Sequence, residues 1–348
     1  MHKYAVVIPN WNGLDWLADC LDSALTQTLP ASVIVVDNGS TDGSVELIRE
    51  HYPQVVLICR DKNYGFTGGV NPGLEAALKL RVEAAALLNN DAIPAPDWLE
   101  KLVAVLSGNP KVGIAAAKIR HFEDTRLDST GDLYSTWGFP FPRGRDELDT
   151  GQFDSAEQRD VFAGSGGASL YRASMLREIG LFDQRFFAYY EDTDISFRAR
   201  LAGWKVEYEP ASVVRHRIGG TSARLNAAGD GEAAVVTAAG PSPFARYHSV
   251  KNFSYLYTKN MPGALYWKYL PRFWASWGMM AVSDIKRGLF AANFKANATA
   301  VWNFPGILVS RYRIQHRRQV TVDMIEAQLY HGLPPQQQLR FRRFKRAS

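Results

Sequence analysis

The sequence predicts an α/β fold: a mostly parallel sheet flanked by helices. Short apolar runs alternate with longer runs of helical spacing over residues 4–120, which is the punctuation of βαβ units. One of these runs, residues 84–88, is apolar without a break, as a parallel strand covered on both faces must be. With 348 residues, 46% of them apolar and 22% charged, the chain can bury a sizeable core.

Residues 4–9 give the first strand, 14–25 a helix, 33–37 a second strand and 44–50 a second helix. Residues 55–58 and 70–81 repeat the pair, and the strand ending at Asn89 follows. Asp97 is placed as the N-cap of a helix over 98–106, with Glu100 at capping-box spacing. No internal repeat is present.

The strand ends share a composition. They read Pro9-Asn10-Trp11-Asn12-Gly13, then Asp37-Asn38-Gly39-Ser40-Thr41-Asp42, then a stretch from Asn63 to Gly73, then Asn89-Asn90-Asp91. Ligands in open α/β sheets collect outside the carboxyl ends of the strands, so these turns are expected to face one crevice. Asp91 then stands where an ion or phosphate would be, although Asn and Asp also serve as plain turn formers. The Asp37 carboxylate suits a base N–H. Glycines 65, 68 and 69 let backbone approach a phosphate or sugar ahead of a helix N-terminus. Neither G-x-G-x-x-G after the first strand nor G-x-x-x-x-G-K-[ST] occurs, so both fingerprints are missing.

Residues 129–132 and 138–145 read as loops, and the glycine-rich stretch 162–172 leads into a short strand. The run Phe186-Phe187-Ala188-Tyr189-Tyr190-Glu191-Asp192-Thr193-Asp194 brings three carboxylates to a helix start, more than capping requires. Residues 205–208 and 212–216 read as two strands, and His216 becomes a metal-ligand candidate if it returns to Asp91. Residues 217–243, rich in Gly, Ala, Ser and Thr, read as a mobile loop or lid. Beyond 245, Tyr, Trp and Phe interleave with Lys and Arg, the make-up of interfacial helices.

The net charge of +5 is modest but gathers late, in 311–318 and 340–346. This favours an anionic surface such as phospholipid. Nothing else in the chain supports nucleic-acid binding. Cys20 and Cys59 are too few for a disulfide framework or a cysteine metal site, and they fit a reducing cytosol. The first apolar segment is too short for a signal peptide, and no apolar run reaches membrane-spanning length.

Together, in this order and spacing, Val7-Ile8-Pro9-Asn10-Trp11-Asn12, Val36-Asp37-Asn38-Gly39-Ser40-Thr41-Asp42, Asn63 to Asn71, Leu88-Asn89-Asn90-Asp91, and Glu191-Asp192-Thr193-Asp194 with Arg198 and His216 are specific. Over residues 4–260 the chain resembles the family 2 glycosyltransferases with the GT-A fold. The likeness is nearest to rhamnosyltransferase-like enzymes that build bacterial cell-surface polysaccharides.

The resemblance implies a Rossmann-like catalytic domain over 1–245, with a C-terminal helical, basic-aromatic region over 246–348. It implies that Pro9, Asn10 and Asp37 hold base and ribose, and that Asn63, Gly65, Phe66 and Asn71 lie beneath nucleotide and donor sugar. Asn89 and Asn90 would flank the nucleotide beside Asp91, with His216 completing a site for Mg²⁺ or Mn²⁺. Asp192 matches the catalytic base, with Glu191 as runner-up. The sequence departs from the family's D-x-D metal motif at its first position, which is Asn89 here; a neutral amide weakens the site.

The implied reaction is an inverting sugar transfer from a dTDP- or UDP-sugar, rhamnose foremost, to a glycan or lipid-linked glycan. It would take place in the cytoplasm at the inner face of the cell membrane, with peripheral membrane contact. The competing reading is a non-catalytic nucleotide-sugar-binding or scaffold protein of the same fold.

Overall fold

The architecture comes from a computed structural model that describes residues 2–123, 125–217, 241–335 and 337–338. Strands β1 (Tyr4–Asn10), β2 (Ser32–Asp37), β3 (Val56–Cys59) and β4 (Ala84–Leu88) alternate with helices α1 (Leu14–Leu25), α2 (Ser44–His51) and α3 (Gly65–Lys79). Then come β5 (Ala92–Pro94), α4 (Trp98–Gly108), β6 (Val112–His121), β7 (Leu127–Ser129), β8 (Asp132–Tyr134) and β9 (Pro140–Pro142). Strand β10 (Ala168–Arg172), α5 (Ala173–Ile179), α6 (Glu191–Leu201) and β11 (Lys205–His216) complete the α/β part. The main sheet runs β3-β2-β1-β4-β10-β6-β11-β5, with β7 on β6. The strands from β3 to β4 pair in parallel, as do β6 and β11, while β10 and β5 run against their neighbours.

Alternation along each strand divides the core between the two faces of the sheet. Val6, Ile8, Val33 and Val35 face Leu17, Leu21 and Leu102, while Val7, Ile34 and Val36 face Val70, Leu74 and Ile195. Every residue of β4 is buried, as its unbroken apolar run requires.

Three local expectations are corrected. Helix α3 starts at Gly65, not Val70. The glycines read as loop, 65, 68 and 69, lie inside the helix, where neighbours crowd them: a Cβ on Gly69 would stand 3.1 Å from Pro9 Cβ of β1, and one on Gly68 2.3 Å from Tyr64 Cβ. Asp97 precedes α4 but makes no side-chain cap. Its carboxylate pairs with Lys101 at 2.6 Å, and Glu100 accepts from the Thr28 hydroxyl at 2.7 Å, so no capping box closes. Residues 205–216 form one strand with a register shift between Glu209 and Val213, not two.

The C-terminal helices are α7 (Pro243–Asn260), α8 (Gly263–Lys286), α9 (Phe290–Trp302), α10 (Phe304–His316) and α11 (Val322–Glu326). They share an aromatic cluster with the α/β part, in which Phe162, Phe186 and Phe197 pack with Phe253, Tyr257 and Phe273. Among the described residues no helix is long and apolar enough to cross a membrane. The stretch read as a lid lies outside the described residues from 218 to 240, as does the basic tail from 339 onward.

Candidate functional site

The carboxyl ends of β1, β2 and β4 are stitched together by side chains. Asn10 Nδ2 donates to Asp37 Oδ2 at 2.9 Å, and Asn90 Nδ2 donates to Asn10 Oδ1 at 2.7 Å. The second Asp37 oxygen accepts the Ser40 N–H at 2.9 Å. All three side chains are buried, and buried polar groups demand such partners. Gly13 makes room for this chain, since a Cβ there would meet Asn90 Nδ2 at 2.1 Å.

Above it opens a cavity of about 380 Å³, whose wall includes Pro9, Asn10, Asn63, Gly65, Phe66, Asn89, Asn90, Glu191, Asp192 and His216. Asn38, also in the wall, donates to Asn63 Oδ1 at 3.0 Å and to the Gly65 carbonyl at 2.9 Å, fixing the entry into α3. Phe66 meets Phe182 edge-on, with ring centroids 6.1 Å apart. Asp37 lies beneath the wall, behind Asn10. Asn71 is committed elsewhere: its amide donates to the Phe182 carbonyl at 2.8 Å and accepts the Phe182 N–H at 3.1 Å. It braces α3 from outside the cavity wall.

His216 closes one end. Its Nε2 stands 3.1 Å from Asp91 Oδ1, and its Nδ1 stands 2.9 Å from Asp128 Oδ2. Arg145 reaches the other Asp128 oxygen at 2.5 Å. Burial alone would lower the His216 pKa, but Asp91 and Asp128 outweigh it and push it up to about 10. Burial likewise works against Asp128, yet the His216 hydrogen bond and the Arg145 charge hold it at about 2. Asn89 Nδ2 lies 3.4 Å from the same Nε2. Among the described residues no group of three or more His, Cys, Asp or Glu side chains is arranged to hold a metal by itself. Asp91 and His216 converge as an ion pair, so they fit a cation only if it displaces the His216 proton and a ligand's own oxygens complete the site.

The other side of the crevice is carboxylate-rich. Asp192 Oδ2 accepts the Gly166 N–H at 3.2 Å, and Oδ1 accepts the Thr193 N–H at 2.7 Å. Burial raises the Asp192 pKa against these donors. Burial and then the neighbouring Asp192 charge raise Glu191 well above the usual range. Glu191 Oε2 has no hydrogen-bond partner among the described residues.

Asp132 joins them, a carboxylate the sequence reading left in a loop. It is half-buried in the crevice wall. Burial and then Asp192 push it up to about 7, despite a 2.8 Å hydrogen bond from the Ser129 hydroxyl. The third predicted carboxylate, Asp194, turns away: it is fully buried against Arg198 and Lys259, both at 2.9 Å, and Asn260 at 2.8 Å.

The aromatic run before α6 is bent. Phe187, Tyr189 and Tyr190 have φ of +65°, +72° and +71°, a region that L-residues enter only at a cost. Asn252 of α7 holds them there, its amide donating to the carbonyls of Phe186 at 2.9 Å, Ala188 at 2.8 Å and Tyr189 at 2.7 Å. From the opposite side, Thr67 N–H donates to the Phe187 carbonyl at 3.2 Å. Asp128, Asp132, Arg145 and Asn252 were not singled out by sequence. The only local signal was the Asp/Ser/Gly-rich run 128–132, which has the composition of the other strand-end turns.

Comparison with known proteins matches residues 5–180 to the model of "Glycosyl transferase family 2". The N-acetylglucosaminyl-diphospho-decaprenol L-rhamnosyltransferase of Mycobacterium tuberculosis is 27% identical over 216 residues, covering 56% of this chain and 68% of that protein. Glycosyltransferase AglE of Haloferax volcanii is 34% identical over 110 residues, 30% of this chain and 35% of its own. Among solved structures, S. aureus TarS in complex with UDP-GlcNAc superposes with a TM-score of 0.55 at 14% identity, covering 96% of this chain and 94% of that one. GalNAc-T7 with UDP, GalNAc and Mn²⁺ gives 0.58 at 17%, covering 84% and 54%. At such identities the structural likeness concerns the fold, which is of the GT-A type.

Proposed function

The chain belongs to glycosyl transferase family 2, and from that premise we propose that it transfers a sugar, with inversion, from a nucleoside-diphosphate sugar to a hydroxyl of a lipid-linked or polymeric glycan. One observation carries this reading. Asn10 and Asn90, backed by Asp37, His216, backed by Asp91, and Asp192 line the same crevice, so nucleotide, diphosphate and acceptor can be held in line.

Each part has a task that its surroundings allow. Asp37, pinned by Asn10 and Ser40, keeps lone pairs for the N3–H of uracil or thymine. Pro9, Asn63, Gly65 and Phe66 shape the bed of nucleotide and donor sugar. Asn89 and Asn90 border the diphosphate. Asp91 and His216 would hold Mg²⁺ or Mn²⁺, which when bound neutralises the diphosphate leaving group as a Lewis acid.

Asp192 then takes the proton of the acceptor hydroxyl as its oxygen attacks the anomeric carbon. The new C–O bond forms while the bond to the diphosphate breaks, and the electron pair leaves with the nucleoside diphosphate. Burial keeps Asp192 more basic than a solvated carboxylate, as a general base near neutral pH should be. Glu191, beside it and harder to ionise because of burial and the Asp192 charge, shapes the wall instead.

The M. tuberculosis relative is named for rhamnose and for a decaprenol-linked acceptor. This supports dTDP-rhamnose as the first donor to test, and a site of action at the cytoplasmic face of the cell membrane with peripheral contact.

The deciding experiment is a thermal-shift panel of dTDP-, UDP- and GDP-sugars with and without Mg²⁺ or Mn²⁺. A cognate donor at 100 times its Kd stabilises the folded state by about 2.7 kcal/mol. A panel with no shift for any nucleotide sugar would leave the proposal without its donor and sink it.

A further inference from the structure

Helix α8 has two faces of unlike use. Leu265, Tyr269, Phe273, Ser276 and Met280 are buried. At about 100° per residue, Trp267, Leu270, Trp274, Ala281, Val282 and Ile285 fall on the opposite arc. That arc carries no charge, and the nearest cations, Lys268 and Lys286, stand at its edge. Trp267 is 70% exposed, Trp274 56% and Ile285 59%. A bond from Trp277 Nε1 to Asn297 Oδ1 at 2.8 Å lays α9 back along α8. Helix α9 then adds Phe294 and Trp302, 65% and 85% exposed. Large aromatic side chains left in water on a folded surface mark a docking face.

The occupant is indicated by charge. Residues 263–318 hold nine Lys or Arg and a single carboxylate, Asp284. That carboxylate is buried against Arg246 at 2.6 Å. A second copy of the chain would set this cationic rim against itself. A bilayer with anionic headgroups would accept both the rim and the Trp and Phe side chains, which favour the headgroup level.

We propose that the outward face of the α8–α9 hairpin seats on an anionic phospholipid bilayer. The proposal deepens the membrane-side reading of the function and rests on it. The geometry also suits an acceptor presented there. The inner side of α8 touches the crevice's own rim segment: Ser276 donates to the Trp137 carbonyl at 2.9 Å and Arg272 to Thr136 at 2.8 Å, and Pro140, Phe141 and Pro142 line the crevice. One helix, roughly 10 Å across, thus separates the lipid-facing arc from that rim.

The test is flotation of the full chain with vesicles of phosphatidylcholine alone or mixed with phosphatidylglycerol, beside the variant W267E/W274E/F294E. The wild type is expected to float with the anionic vesicles, and the variant to bind them at least about ten-fold more weakly. Donor-induced thermal shift reports on the crevice separately, so failure of docking and failure of the transferase reading are distinguishable. Brominated acyl chains should quench wild-type tryptophan fluorescence, a readout that needs no variant. Equal flotation of wild type and variant, or no quenching in bound wild type, overturns the proposal. A wild-type dimer in sedimentation velocity that the variant abolishes overturns it too, in favour of a second copy.

Discussion

Asp132→Asn tests whether Asp132 and Asp192 titrate as neighbours. In the wild type, burial and the Asp192 charge carry Asp132 from an ordinary 3.8 to about 7. That difference corresponds to about 4 kcal/mol between its two protonation states at 1.36 kcal/mol per pH unit. The amide keeps the burial and removes the like charge. Repulsion between two carboxylates at an effective dielectric of about 20 is on the order of 4 kcal/mol at 4 Å and falls as the inverse of the distance. Because the Asp192 charge is what raises Asp132, Asp192 ionises while Asp132 is still protonated, and a general base acts only when ionised.

The acid limb of kcat/KM, followed by nucleoside diphosphate release from roughly pH 5 to 9, should stay in place, because the amide matches the neutral Asp132 beside which Asp192 ionises. A limb that moves down by about one pH unit or more would mean that Asp132 ionises first, and it refutes this order. Stability supplies a second sign. A carboxyl raised in the folded state contributes stability that is fully present below about 4 and lost as pH rises through about 7. Asp132→Asn should therefore raise Tm most at about pH 8, less at about pH 5, and leave it nearly unchanged below about pH 4.

Asp192→Asn should cut transfer by about 10²–10⁴-fold while the donor-induced thermal shift persists; retained turnover would move the role to Glu191 or Asp132. Asp194→Asn strips a buried anion from between Arg198 and Lys259. By urea unfolding it should cost about 3–5 kcal/mol, and a loss below about 1 kcal/mol would mean that Asp183 and the backbone carbonyls already satisfy both cations. Calorimetry should find weak Mn²⁺ binding to the protein alone and tighter binding with a nucleoside diphosphate present. Tight binding without nucleotide would contradict a cation site built on one carboxylate and one imidazole.

The first half of the site was legible because each of its residues ends a strand that announces itself. Asn10, Asp37 and Asn90 follow apolar runs whose period and length need no partner to be read, and a parallel sheet turns successive strand ends to the same side. The entry into α3 was misplaced because glycine signals freedom in sequence, whereas at Gly69 it signals contact with Pro9 of β1. Asp128 and Asp132 were hidden for another reason. They reach the crevice through β7 on β6 and β8 on β9, three-residue strands whose register is set by pairing rather than by local pattern. Asn71 shows the reverse case, a residue suggested by resemblance whose amide here is spent between α3 and Phe182.

Asn252 has a consequence for anyone recombining such enzymes. The three carbonyls it holds belong to the strained turn that aims Asp192, yet Asn252 itself lies some sixty residues further on, past the stretch 218–240. A chimera that borrows its acceptor-side helices from a relative replaces the clamp of its own catalytic turn. Such exchanges should succeed when residues 186–190 and the α7 amide travel together as one cassette. When they are separated, the sheet should still fold but the base should lose its aim.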